Sequence, residues 1–224
     1  MRFCLLTQNP NTYSSQALFK AVAARGPVDM LHPLKQRITW PESQTSYDVT
    51  LNRVSAVDDE SFLWTLFQQP RWGCQVNSWS LRQALWDKSR QALWLAQRGL
   101  PGIPFFMHRG ELQESDLAWE QFRHAHQSPH GWVLKVNRGM RGVGVHFFDK
   151  TRTLFEWLET LHRINDQDFI IQPRLAPGPE FRLTLLGQET WALLERENLD
   201  GVANFAQGGK ARELTRIPTD LAML

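Results

Sequence analysis

Apolar runs of strand length and apolar positions at helical spacing alternate through the first third of the chain. Arg2 to Thr7 reads as a strand. Ser14 or Ser15 caps a helix in which Ala17, Leu18, Ala21 and Val22 recur at helical spacing, and Gly26 ends it. Val28 to Leu31 is a second strand, residues 33–46 a long proline-flanked loop, and Tyr47 to Val54 a third strand. Asp58 or Asp59 then caps a helix carrying Phe62, Leu63, Leu66 and Phe67. This order predicts a small open α/β sheet. Ligands of such a sheet gather at the carboxyl ends of its strands, where the loop after the first strand and Asn52-Arg53 fall.

After a join over Pro70–Asn77, Ser80 begins a helical stretch through Trp86, and Asp87 caps a second helix running to about Arg98. Gly99, Pro101, Gly102 and Pro104 stop it. Phe105 to His108 is a short strand, and Glu111 to about His126 reads as an amphipathic helix. From Trp132 to Asp149 (WVLKVNRGMRGVGVHFFD) two apolar runs flank a polar, glycine-rich turn. Leu154, Phe155, Leu158 and Leu161 mark a helix over 151–162, and Phe169 to Gln172 a buried strand. Phe181–Leu186 and Glu189–Arg196 read as a hairpin about Gly187-Gln188, and the closing residues as a loop with at most a few helical turns.

The stretch from Trp132 to Asp149 carries the first chemical signal. The backbone at Gly139, Gly142 and Gly144 is free to present N–H groups to phosphate oxygens, with Lys135 on the preceding strand as the cation. The loop joins two strands, which excludes a Rossmann turn or a Walker loop. An ordinary hairpin is the competing reading. An unpaired ammonium in a buried strand needs an anion, which an internal carboxylate or a phosphate would supply. The glycines, with Arg138 and Arg141, predict a lid that an anion holds shut.

Bulk properties narrow the field without deciding it. A net charge of +2 over 224 residues, with no lysine/arginine block, calls for neither nucleic acid nor an anionic membrane. MRFCLLTQNP turns polar too early for a signal peptide, and no apolar run spans a bilayer. Cys4 and Cys74 read as reduced thiols, so the expected compartment is the cytoplasm. The ten tryptophans fall mostly at core spacing. His124, His126 and His130 sit on a polar helix end with no completing ligand set, so no metal site is assigned.

Taken in order, VNSWSLRQALWDKSRQALWLAQRGLPGIP, VLKVNRGMRGVGV, DFIIQPRL, GPEFRLTLLG and ERENLDGVANFAQGG resemble the motif series of the ATP-grasp superfamily, RimK-like (glutamate ligase-like) group. The opening LLTQNPNTYSSQALFKAVAARG and YDVTLNRV resemble that group's preceding domain, so the likeness spans nearly the whole chain. It implies an α/β (α+β) protein: an N-terminal α/β domain over 1–78 and an ATP-grasp-like domain over 79–224, with the cleft between hairpin 133–148 and strands 169–196. It further implies ATP binding by Lys88, Lys135, Gly139, Gly142, Gly144, Gln172, Arg174, Leu175, Glu180 and Asp200. Arg196, Arg182 and Asn204 become the catalytic candidates. In this scheme a backbone carbonyl and N–H near Arg174 and Leu175 read the adenine edge. Glu180 takes the ribose hydroxyls, and Arg196 the γ-phosphate and the acyl-phosphate formed from it. Pro173 replaces the family's glutamate and removes a donor.

Other departures bear on activity. Val202 and Gln207 stand where the family has arginines. The family's later Asp…Glu-x-Asn strands, which hold Mg²⁺, have no counterpart before Leu224, so the resemblance implies a C-terminally short domain whose expected Mg²⁺ lacks ligands. Two classes of function follow. One is an ATP-dependent carboxylate–amine ligase acting on an amino acid or peptide carboxylate. The other is a non-catalytic nucleotide- or partner-binding module, with a second chain or another copy completing the site.

Overall fold

A computed structural model describes residues 1–38, 45–54, 60–108, 111–138, 143–164, 168–176, 178–186, 189–196 and 211–215. They fall into two compact units, Met1–Trp94 and Leu95–Leu224. No helix among the described residues is long and apolar enough to cross a membrane.

The first unit is built on a parallel sheet. β1 (Phe3–Thr7) lies between β2 (Val28–Leu31) and β3 (Val49–Arg53), and β4 (Cys74–Val76) pairs with β3. Cys4 and Leu6 are fully buried against Leu63, Leu66 and Phe67 of α2 (Glu60–Phe67). Trp72 lies in the same cluster, with Tyr47 stacked on it at 5.9 Å. The strand Cys74–Val76 stands inside the expected join; at three residues it is too short to carry a periodic signal of its own. α1 (Tyr13–Ala23) begins earlier than its serines suggest. Thr12 is the N-cap, accepting from the Ser15 N–H, while Ser15 is buried against Thr7. The helix is finished before Gly26.

α3 (Trp79–Ala84), capped by Ser78, and α4 (Lys88–Ala96) follow. Trp79 and Trp86 join the core of the first unit, so it reaches past residue 78. Phe67 stacks on Trp79 at 5.0 Å, and such aromatic pairs add to the area they bury.

The second unit holds two antiparallel sheets. β5 (Phe106–His108), β6 (Trp132–Val136), β7 (Val145–Phe148) and β8 (Phe169–Pro173) form one, in the order β5-β8-β6-β7. β9 (Glu180–Leu186), β10 (Glu189–Arg196) and β11 (Ala211–Glu213) form the other, in the order β11-β10-β9. α5 (Leu117–Ala125) and α6 (Thr151–Ile164) supply Trp119, Leu154, Phe155 and Leu158 to one face of the four-stranded sheet. Trp132, Leu134, Phe148 and Ile171 meet them there.

Three expectations are corrected in this unit. The helix expected from Glu111 starts only at Leu117, because Asp116 accepts from the Ala118 N–H and caps it. The expected terminal loop contains β11, which β10 recruits by register rather than by any strand signal in Ala211–Glu213. Strand 169–173 does not face the hairpin across a cleft; it pairs with β6 in the same sheet.

Candidate functional site

Strand register assigns the faces. Trp132 and Leu134 lie under the helices, so Val133 and Lys135 occupy the opposite face. Val133 is opposite Gln172 and Phe147, and Lys135 is opposite Ile170 and Val145. One face thus gathers Lys135 and Gln172 with an apolar set of Val133, Val145, Phe147 and Ile170. Ile170, Val133 and Gln172 are buried.

Lys135 donates from Nζ to Gln172 Oε1 at 2.7 Å, and Gln172 Nε2 reaches the Ile103 carbonyl at 3.3 Å. Burial holds the Lys135 ammonium below the ordinary lysine value of 10.5. Among the described residues no carboxylate lies within ion-pair distance of it. A neutral amide compensates a cation only in part, so this corner of the face favours an added anion.

The turn after β6 delivers its last residues tightly. Gly144 has φ +71°, and a Cβ there would collide with the Val136 side chain; its carbonyl accepts from the Val136 N–H at 2.9 Å. Gly139 and Gly142, and with them most of the expected lid, lie outside the described residues.

At the end of β8, Arg174 is tied down by its backbone. Its N–H donates to the Gly131 carbonyl at 2.9 Å, and its carbonyl accepts from Ser128 Oγ. A carbonyl has two lone pairs, so a second donor can still be accepted there. The Arg174 guanidinium lies over Phe147 at 4.9 Å and bonds Asp149 at 3.1 Å. Leu175 is exposed. Ser128, Phe147 and Asp149 are residues that sequence reasoning missed, since none carries a motif and only register brings them to Arg174.

In the three-stranded sheet, Glu180 and Arg196 are cross-strand partners, and Arg196 Nη1 meets Glu180 Oε1 at 2.5 Å. Arg182 lies two residues along β9 and is exposed. Lys88 opens α4 in the first unit, directly after Asp87, whose carboxylate accepts from the Arg90 N–H and Ser89 Oγ at 2.8 Å each. Asp200, Asn204, Val202 and Gln207 lie outside the described residues. The structure therefore brings together Lys135 with Gln172, and Glu180 with Arg196.

No family model matches the chain. Among curated proteins, it is 26% identical over 230 residues to a "Probable alpha-L-glutamate ligase" of Saccharophagus degradans, covering 94% of this chain and 73% of that one. It is 24% identical to one of the same name from Shewanella loihica, covering 98% and 76%. Among solved structures, a RimK domain ATP-grasp protein from Sphaerobacter thermophilus superposes with a TM-score of 0.65 at 18% identity, over 87% of this chain and 72% of that one. The chain has the ATP-grasp fold and is similar in sequence to RimK-like glutamate ligases.

The fold is shared more widely. D-cycloserine synthetase DcsG matches this ATP-grasp chain with a TM-score of 0.67 at 18% identity, covering 96% and 75%. A D-alanine–D-alanine ligase from Bacillus anthracis, complexed with ATP, matches at 0.63 and 15% identity, covering 100% and 74%. The fold family implies magnesium. Among the described residues of this chain no group of three or more His, Cys, Asp or Glu side chains could hold a metal ion.

Proposed function

We propose that this ATP-grasp chain is an ATP-dependent carboxylate–amine ligase, joining an amino acid or peptide carboxylate to an amine through an acyl-phosphate. The observation that carries the reading is Lys135: a half-buried ammonium at the end of an apolar face, with an amide partner and, among the described residues, no carboxylate in ion-pair reach. That combination suits a nucleotide, whose base takes the apolar surface and whose phosphates take the cation. The names of the two curated relatives support the same chemistry.

In this scheme each residue of the chain has a limited task. Lys135 holds the phosphates from within β6, and Gln172 orients its ammonium through the 2.7 Å bond. Val133, Ile170 and Phe147 supply the apolar surface for adenine, while the carbonyl of Arg174 and the N–H of Leu175 read its edge. Glu180 takes ribose hydroxyls. Arg196 then exchanges the Glu180 carboxylate for the more highly charged phosphoryl group, and stabilises the acyl-phosphate as the amine attacks.

Calorimetric titration with ATP tests the binding half. Lys135→Ala removes a charge-assisted bond worth about 1.5–3 kcal/mol, and so lowers ATP affinity about tenfold to hundredfold. ADP release on supplying glutamate or a peptide with an amine acceptor tests the ligase half. Nucleotide binding without ADP release would favour the non-catalytic module. Absence of nucleotide binding by the wild type would overturn both.

A further inference from the structure

The second unit contains a cavity of about 660 Å³ that none of the nucleotide-site residues lines. It lies on the helix-covered side of the four-stranded sheet, between α6, the segment 111–115, the edge strand β5 and the start of β8. Its volume is that of a ligand site. The floor is apolar, from Phe155, Leu158, Leu161, Phe169 and Ile171.

The rim is acidic. Glu111, Glu114, Glu156 and Glu159 stand around it, and Arg152, also on the rim, is already bonded to Glu156 at 3.1 Å. Glu159 is taken by Arg163 at 2.5 Å. Glu111 and Glu114 form no ion pair among the described residues, which leaves the mouth two uncompensated carboxylates. An occupant with apolar parts and a positive charge matches both floor and rim.

A second observation selects the kind of occupant. Among the described residues β5 pairs only with β8, so its outer edge is open to another strand. His108 of β5 lines the cavity, and Phe106 packs into the core on the same face. A strand added beside them would send alternate side chains over that face and into the cavity. Lysine or arginine suits those positions, with an apolar stem for the floor and a charged head for the rim.

We infer that this cavity docks an extended peptide segment of a partner protein, bearing lysine or arginine at alternate positions, added as a strand to the edge of β5. The inference stands apart from the nucleotide reading, because Lys135 and Gln172 lie on the opposite face of the sheet.

The test uses the full chain and a fluorescein-labelled hexapeptide, Leu-Lys-Ile-Lys-Val-Lys, followed by anisotropy. Wild type is expected to bind it, more weakly in high salt, and to bind Leu-Glu-Ile-Glu-Val-Glu at least about tenfold less well. The double substitution E111K/E114K reverses two exposed charges and should weaken binding by about tenfold while the melting curve stays two-state and close to wild type. Hydrogen exchange should slow in Phe106–His108 on adding peptide, and Lys135→Ala should bind peptide as wild type does. The inference is overturned if neither peptide binds at millimolar concentration, or both bind equally. Unchanged binding by E111K/E114K, unprotected β5 amides, or loss of binding in Lys135→Ala would also overturn it. Full displacement by n-hexylamine would assign the cavity to a small amine instead.

Discussion

The parallel sheet of the first unit and the four-stranded sheet of the second both bury polar side chains, and they compensate them differently. In the first unit Thr50 is fully buried and its hydroxyl donates to the Trp72 carbonyl at 2.7 Å, while Thr7 and Ser15 share a hydroxyl contact at 3.3 Å. Neutral groups with nearby partners cost little to bury. In the second unit the half-buried Lys135 places a full charge beside the buried, neutral amide of Gln172. Such an arrangement is costly for stability and valuable for binding an anion. The contrast separates polar groups that serve the fold from one that serves a ligand.

Truncating the apolar side of the second sheet should have the largest effect. Trp119 is fully buried and touches Trp132, Phe106 and Phe155, with ring centroids 5.0 to 5.5 Å away. Trp119→Ala should cost about 3–5 kcal/mol, read as faster hydrogen exchange in β6 and β8. Trp119→Phe should cost much less, because it keeps a ring and removes an indole N–H that has no hydrogen-bond partner among the described residues. An equal loss for both would mean that ring contacts are not what holds this face.

The nucleotide affinity of Lys135→Ala comes next, and its stability should move the other way. Lys135→Met removes a half-buried charge and keeps the aliphatic stem, so the ligand-free variant should melt at or above the wild-type temperature while losing ATP affinity. A clear drop in melting temperature would instead make Lys135 a structural residue.

Titration sharpens the comparison between the units, since burial acts on Cys4 and Lys135 with opposite sign. Burial raises the Cys4 thiol from 9.0 to about 12. Between those values the unfolded chain has released the proton and the folded chain has kept it, so stability falls as pH rises. Lys135 is lowered below 10.5, so between its folded value and 10.5 the unfolded chain holds more protons and stability rises with pH. Denaturant titrations stepped upward from pH 9 should show Cys4→Ala losing the fall and Lys135→Met losing the rise, each relative to wild type. The opposite slopes would mean that burial is not what shifts these two groups.

The smallest effect is expected at Glu180 and Arg196. Their ion pair is half-exposed, with side-chain accessibilities of 46% and 13%, and such pairs contribute about 0–1 kcal/mol. Glu180→Gln should therefore change unfolding free energy by no more than about 1 kcal/mol. A larger loss would place Arg196 with the half-buried, poorly compensated cations, beside Lys135.

Much of the organisation is legible in the residues themselves. The run Val133–Val136, the turn glycine Gly144, the Asp87 cap and the apolar stripe Leu154, Phe155, Leu158 and Leu161 are local signals, and the folded chain uses each locally. The order of motifs pointed to the ATP-grasp fold because that fold is carried by a succession of such elements. What the residues could not settle was which way they face. Val133 and Leu134 are equally apolar, so only the helices that cover Trp132 and Leu134 decide that Lys135 turns the other way. The strand status of Cys74–Val76 and Ala211–Glu213 likewise comes from neighbours that recruit their backbones, β3 in one case and β10 in the other. Ser128 meets the Arg174 carbonyl, and Gln172 the Lys135 ammonium, across 46 and 37 residues of chain. Local patterning determined where most of the strands and helices form, since propensity and periodicity act over a few residues. Tertiary structure decided faces, edges and partners, because those depend on strand register and on which surface the helices cover.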